Sequence, residues 1–156
     1  MKTQLILADT SGPGFYRQIC PGTTLQKLGE DISFDFQWQT AKPRYNKLGK
    51  VIGVRKTDFD VIVLQSPQRR HIVECIPFVQ AHGTAVVVEL DDDFWSVNKE
   101  QIGYKNFAAM AHPDEANFEV LAKACELADL VTVSTKPLIR VIVFCCEIKL
   151  KPSGMT

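Results

Sequence analysis

Three consecutive aspartates, Asp91, Asp92 and Asp93, follow an apolar run in VVVELDDDFW. A carboxylate held at the end of a strand can orient or deprotonate an attacking hydroxyl, so these three are the candidate catalytic residues. In an extended chain Glu89, Asp91 and Asp93 project to one side and Asp92 to the other. Like charges this close raise one another's pKa and call for a cation, a basic partner or an array of substrate hydroxyls. A plainer use is also open, in which Asp92 or Asp93 caps a short turn that holds Phe94 and Trp95.

The second motif is GPGFYR, where Gly12 and Gly14 stand between a strand and a helix. Bare backbone N–H groups at a helix start can face an anion or a sugar hydroxyl; a tight turn that merely needs glycine is the alternative. The motif lacks the third glycine of the dinucleotide fingerprint and the Gly-Lys-Ser/Thr of a P-loop, so neither nicotinamide cofactors nor NTP hydrolysis is indicated. Arg17, one helical turn along, either makes a charge-assisted contact to phosphate or sits solvated. His112 precedes Pro113, behind a loop from Asn98 to Ala111 that either folds over the site or crosses the surface. Ser134 and Thr135 read as the N-cap of a following helix, with Lys136 beside them.

No metal site is expected. His71, His82 and His112 lie 11 and 30 residues apart, and Cys20, Cys75, Cys125, Cys145 and Cys146 contain no CxxC pair. That spacing suits neither a zinc site nor a disulfide framework, and the thiols read as buried.

Positioning these residues requires alternating elements. Thr3 to Ala8 reads as a strand, followed by the breaker-rich Asp9 to Gly14. Phe15 and Ile19 share one face of a short helix that Pro21 and Gly22 stop. Ile32 to Gln37 alternates with period two as a half-buried strand, and the polar stretch Trp38 to Lys50 reads as a surface loop. Val61 to Leu64 and Thr84 to Leu90 are β-branched runs of strands covered on both faces. Between them Ile72, Cys75, Ile76 and Val79 form the apolar stripe of a helix that Gly83 ends. A helix from Pro113, with Phe118, Leu121, Ala122, Cys125 and Ala128 as its stripe, leads to a strand over Leu130 to Val133 and one more short helix.

This order predicts an α/β fold: a doubly wound, mostly parallel Rossmann-like sheet with helices on both faces. In such sheets ligands sit outside the carboxyl ends of the strands, which selects three turns: Asp9 to Gly14, Gln65 to Arg70 and Asp91 to Trp95. The 156 residues suit one domain, and 46% apolar composition supplies a core. Eighteen basic against eighteen acidic residues remove the electrostatic footprint of nucleic-acid binding. No apolar run approaches the roughly 18 residues of a membrane span, and the start is unlike a secretory signal. A cytoplasmic protein is expected.

Taken in order, GPGFYR, VELDDDFW and ADLVTVST resemble the first lobe of glycosyltransferase-like proteins of the GT-B fold, several of them from bacteriophages, over residues 3–139. The pattern there is G-x-G-x-Y-R, then [VY]-[DE]-x-D-D-D-x-W, then A-D-x-[VI]-T-[VT]-S-T. The resemblance implies two facing Rossmann-like lobes, the first holding a hydroxyl acceptor and the second a nucleotide sugar, generally without a metal. It implies that Gly12 and Gly14 face the donor phosphates and that Asp91 to Asp93 line the acceptor side. Tyr16, Arg17, Trp95 and His112 complete the implied substrate-binding set. Residues 140–156 depart from the family's continuation and read as a last strand over Val141 to Leu150 or as a truncated or frameshifted tail. The donor lobe is then expected from a separate second chain or a homodimer, and the lone lobe is expected to be inactive. Two rivals remain: a small transferase using Asp91 and Asp93 as ligands for Mg²⁺ or Mn²⁺, and a non-catalytic α/β binding or regulatory module similar to a response-regulator receiver.

Overall fold

Uninterrupted runs such as VIVL and AVVV leave no polar face, so both sides of each strand need a covering layer. The computed structural model, which describes residues 1–10, 12–36, 38, 41–96, 98, 100 and 117–145, places them at the centre of one sheet. Its strands are β1 (Lys2–Leu7), β2 (Asp31–Phe36), β5 (Val61–Gln65), β6 (Ala85–Leu90) and β7 (Leu130–Val133), in the order β2-β1-β5-β6-β7. Every neighbouring pair is parallel, with Leu5 opposite both Phe34 and Val63, and Val88 opposite both Leu64 and Val131. The fold is therefore α/β, doubly wound and Rossmann-like.

Alternation along the strands divides the side chains between two layers. Ile62, Leu64, Val86, Val88 and Leu90 are almost wholly buried. They share one core with Ile72, Ile76 and Val79 of helix α2 (Arg70–Ala81) and with Leu121 and Ala124 of helix α3 (Asn117–Leu127). Gly83, with φ of +90°, ends α2 in the left-handed conformation that favours glycine. On the opposite face helix α1 (Gly12–Lys27) lies over Leu5 and Phe34, close enough that a Cβ at Gly22 would stand 2.7 Å from Leu5 Cδ1.

Helix α1 differs from the expectation. It comprises the α-helical turn Gly12–Gly14, a π-helical segment Phe15–Ile19 and the α-helix Cys20–Lys27, and it runs through Pro21 and Gly22 instead of stopping there. The wider π turn bonds the Cys20 N–H to the Phe15 carbonyl, so Pro21 falls in the first turn of the following α-helix, where a missing N–H costs little. The buried positions are Gly14, Gln18 and Gly22, four residues apart, while Phe15 is 45% exposed. A search for apolar periodicity passes over such a face because two of its members are glycines and the third is polar.

Two further expectations are corrected. The stretch Trp38 to Lys50 is not simply a surface loop. Arg44–Tyr45 (β3) pairs antiparallel with Val51–Gly53 (β4), and Trp38, Ala41, Val51 and Val54 join the main core. The Asn46 side chain closes the hairpin by accepting the N–H groups of Leu48 and Lys50. At the other end Lys136–Cys145 forms helix α4, with Leu138 and Ile142 buried. Val141 to Cys145 are thus helical, and no strand begins at Val141; residues 146–156 lie outside the described residues. No helix among the described residues is long and apolar enough to cross a membrane.

Candidate functional site

The chain leaves β1 toward β2 on one side of the sheet and leaves β5 toward β6 and β7 on the other. The connections therefore diverge between β1 and β5, and this is where open α/β sheets offer a crevice at their carboxyl edge. All three turns selected from the sequence arrive there, because β1, β5 and β6 run in the same direction.

Hydrogen bonds tie the three turns together. The Ala8 N–H donates to Gln65 Oε1 at 3.2 Å, joining the ends of β1 and β5. The Ser66 N–H donates to the Glu89 carbonyl at 2.9 Å, and its hydroxyl makes a long 3.5 Å contact to Asp91 Oδ1, joining β5 to β6. Ser134 Oγ donates to the Asp91 carbonyl at 2.8 Å and adds the end of β7. Ser66 holds φ at +39°, a conformation that costs a residue with a side chain on the order of 1 kcal/mol or more.

A buried ion pair anchors this edge. Glu89 interrupts an otherwise apolar strand and is 6% exposed. Arg17 reaches it from α1 with both Nε and Nη2, and the Gln18 amide approaches its other oxygen at 3.5 Å. Successive residues of a π turn lie closer in angle than those of an α turn, which lets Arg17 and Gln18 converge on one carboxylate. Burial pushes the Glu89 carboxyl up and the Arg17 and Gln18 hydrogen bonds pull it back, while the bond to Glu89 holds the Arg17 guanidinium more firmly protonated. The cation that crowded carboxylates need is thus an internal one. A charged residue inside a β-branched run was the signal for it, since a buried carboxylate seldom stands unpaired.

The aspartates do not form one row. The strand ends at Leu90, and the three side chains part. Asp91 is half-buried beside Ser66, and burial first, then repulsion from Asp92, pushes its carboxyl above the ordinary range against the pull of Arg17. Asp92 is exposed. Asp93 caps the next turn, its Oδ1 accepting the N–H groups of Trp95 and Ser96 at 3.1 Å each, as the plainer sequence reading allowed. Trp95 packs partly on the core. Tyr16 is 74% exposed, edge-on to Phe15. Gly12 opens to solvent, whereas Gly14 is pressed onto the Asp9 carbonyl. His112 lies outside the described residues.

The raised Asp91 carboxyl makes stability depend on pH. Its folded-state pKa is raised, so the folded protein binds more protons just above the ordinary carboxylate range, and stability falls as pH rises through that window. Asp91→Asn should flatten this part of the melting-temperature profile and melt above the parent at neutral pH. An unchanged slope in thermal scans across the mildly acidic range would contradict the assignment.

Beside these turns lies a cleft of about 260 Å³ between the ends of β1, β2 and β5 and the start of α2, lined by Leu7, Asp9, Phe36, Gln65, Ser66 and Arg69 among others. Among the described residues no three His, Cys, Asp or Glu side chains converge as metal ligands. The edge offers one carboxylate near a fixed cation, a strained serine and a cleft, which suits orienting a hydroxyl and drawing its proton. Set against models of known protein families, curated proteins and solved structures, the chain matches none.

Proposed function

We propose that this chain is the acceptor-side lobe of a GT-B-like glycosyltransferase, binding a hydroxyl acceptor at the carboxyl edge of its sheet. The observation that carries the proposal is the hydrogen-bonded junction of the three turns. It sets Asp91 beside Ser66, under the field of Arg17, next to an open cleft.

In this proposal Asp91 accepts the proton of the acceptor hydroxyl as its oxygen bonds to the anomeric carbon of a nucleotide sugar. The bond from that carbon to the diphosphate breaks, and the diphosphate leaves with the electron pair. A carboxyl raised by burial is a better base than an exposed aspartate. The start of α1 at Gly12 presents backbone N–H groups toward the departing phosphates. Arg17 acts chiefly as a positioning residue because its charge is balanced by Glu89. A second Rossmann-like lobe supplies the nucleotide sugar, from another chain or a second copy. The proposed compartment is the cytoplasm, consistent with the free thiols of Cys20 and Cys75; burial pushes the Cys75 thiol up to about 12 and makes it unreactive.

Incubation of the purified 156-residue chain with radiolabelled nucleotide sugars and a panel of hydroxyl acceptors tests this. The lobe alone should bind acceptor yet transfer sugar barely or not at all. Robust transfer by this chain alone would refute the single-lobe proposal.

A further inference from the structure

We infer that the chain forms a two-fold dimer in which helix α4 of each copy docks on the half of the partner's sheet that α1 leaves bare. The dimer goes beyond the acceptor-lobe proposal and does not depend on it.

A parallel sheet needs a layer on each face, and the two faces here differ. On the α2–α3 side, Ile6, Leu64 and Val88 form one row across β1, β5 and β6 and are at most 3% exposed. On the α1 side the neighbouring row is Leu5, Val63, Val87 and Leu130, across β1, β5, β6 and β7. Leu5, under α1, is 8% exposed, Val63 and Val87 are half-buried, and Leu130 is 55% exposed. Cover is lost step by step with distance from α1. A trough of about 520 Å³ follows that helix, lined by Leu25, Val61 and Val63 among others. A contiguous apolar face left open in this way marks an interaction site.

Helix α4 supplies what fits there. Leu138 and Ile142 are buried in the core on the α2–α3 side, but Ile139, 41% exposed, and Val143, half-buried, stand four residues apart on a neighbouring face. The helix is apolar around more of its girth than its own core covers, the pattern of a helix buried from two sides. Charge agrees with this. The charged residues of α4, Lys136 and Arg140, are both basic and exposed. The carboxyl end of the bare face gathers Glu89, Asp91 and Asp92 about Arg17, three carboxylates to one guanidinium.

The edge strand β7 lies between the two surfaces and leads directly into α4. A two-fold axis in the plane of the sheet, running along this edge, exchanges the two faces. It carries each α4 from the α2–α3 side of its own sheet to the α1 side of the other. Direction along the strands is kept, so Lys136, at the start of α4, arrives at the acidic carboxyl end. The contact is reciprocal and closes on two copies.

Sedimentation velocity of the full 156-residue chain at micromolar concentrations tests this and should give the mass of two copies. Leu130→Asp on the sheet face and Ile139→Asp on α4 each place a charge in the dry contact, and each should raise the dimer dissociation constant at least about tenfold. Circular dichroism should show both variants folded, since both side chains are exposed in the single chain. Mixed together, the two variants should associate more tightly than either does alone, because one of the two α4 contacts is then free of added charge. A single-copy mass at every concentration overturns the dimer and leaves the bare face to a different protein or to a segment of the same chain. A dimer that neither substitution weakens overturns it as well.

Discussion

Arg17→Met should destabilise the protein by about 3 kcal/mol, the lower end of the cost of breaking a buried ion pair from one side. The lower end applies because about a third of the Arg17 side chain is exposed, while Glu89 is not. For a chain of this length that loss lowers the melting temperature by roughly 6–12 °C. The double change Arg17→Met with Glu89→Leu should recover most of it, because an apolar pair of similar volume avoids the desolvation that an orphaned Glu89 suffers. Arg17→Met should also move the Asp91 titration upward, since Arg17 is among the groups holding that carboxyl down. Denaturant unfolding of the two single variants and the double variant measures all of this. A single variant within about 0.5 kcal/mol of the parent, the range of ordinary surface changes, would show that the pair does not hold the edge together.

The second large effect is expected at Gly14. A Cβ there would stand 1.9 Å from the Asp9 carbonyl oxygen and 2.7 Å from its carbon, both backbone atoms that cannot swing aside. Gly14→Ala therefore has to move the β1–α1 turn or lift α1 from the sheet, at a cost of about 3 kcal/mol or more, the upper end for overpacking. Gly12→Ala is the internal control: nothing lies within 4 Å of its added Cβ, and alanine in a helix gains up to about 1 kcal/mol over glycine. Thermal unfolding of the two variants should show opposite signs. Similar, small effects at both positions would mean that the turn is not packed in this way.

The sheet was legible in the sequence wherever burial on both faces forced an uninterrupted apolar run. Leu130–Val133 is found at its expected bounds, and Val61–Gln65 and Ala85–Leu90 differ by one residue at one end. The helix over Ile72 to Val79 was equally plain because its stripe is built from large side chains. What the sequence concealed depended on contacts between distant segments. Gly14, Gln18 and Gly22 make a buried face through smallness, a property that hydrophobic periodicity does not register. The β3–β4 hairpin lies in a polar stretch whose burial rests on Trp38, Ala41, Val51 and Val54 meeting a core formed elsewhere.

The candidate site divides along similar lines. Topology alone placed three turns on one rim, and that placement agrees with the parallel pairing of β1, β5 and β6. Asp93 as a turn cap was also readable from its position before Phe94 and Trp95. The Arg17–Glu89 bridge spans 72 residues and hinges on a π turn, which propensity does not forecast.

In the proposed function the turns after β1, β5 and β6 form one acceptor site. A backbone-amide NMR titration of the isotope-labelled chain with a panel of hydroxyl acceptors tests it most directly. Shifts should appear together at Asp9 to Gly14, Gln65 to Arg69 and Asp91 to Trp95, and follow one saturation curve. Shifts gathered instead at the opposite rim, around Lys2, Asp31 and Ala85, with these three turns silent, would contradict the account.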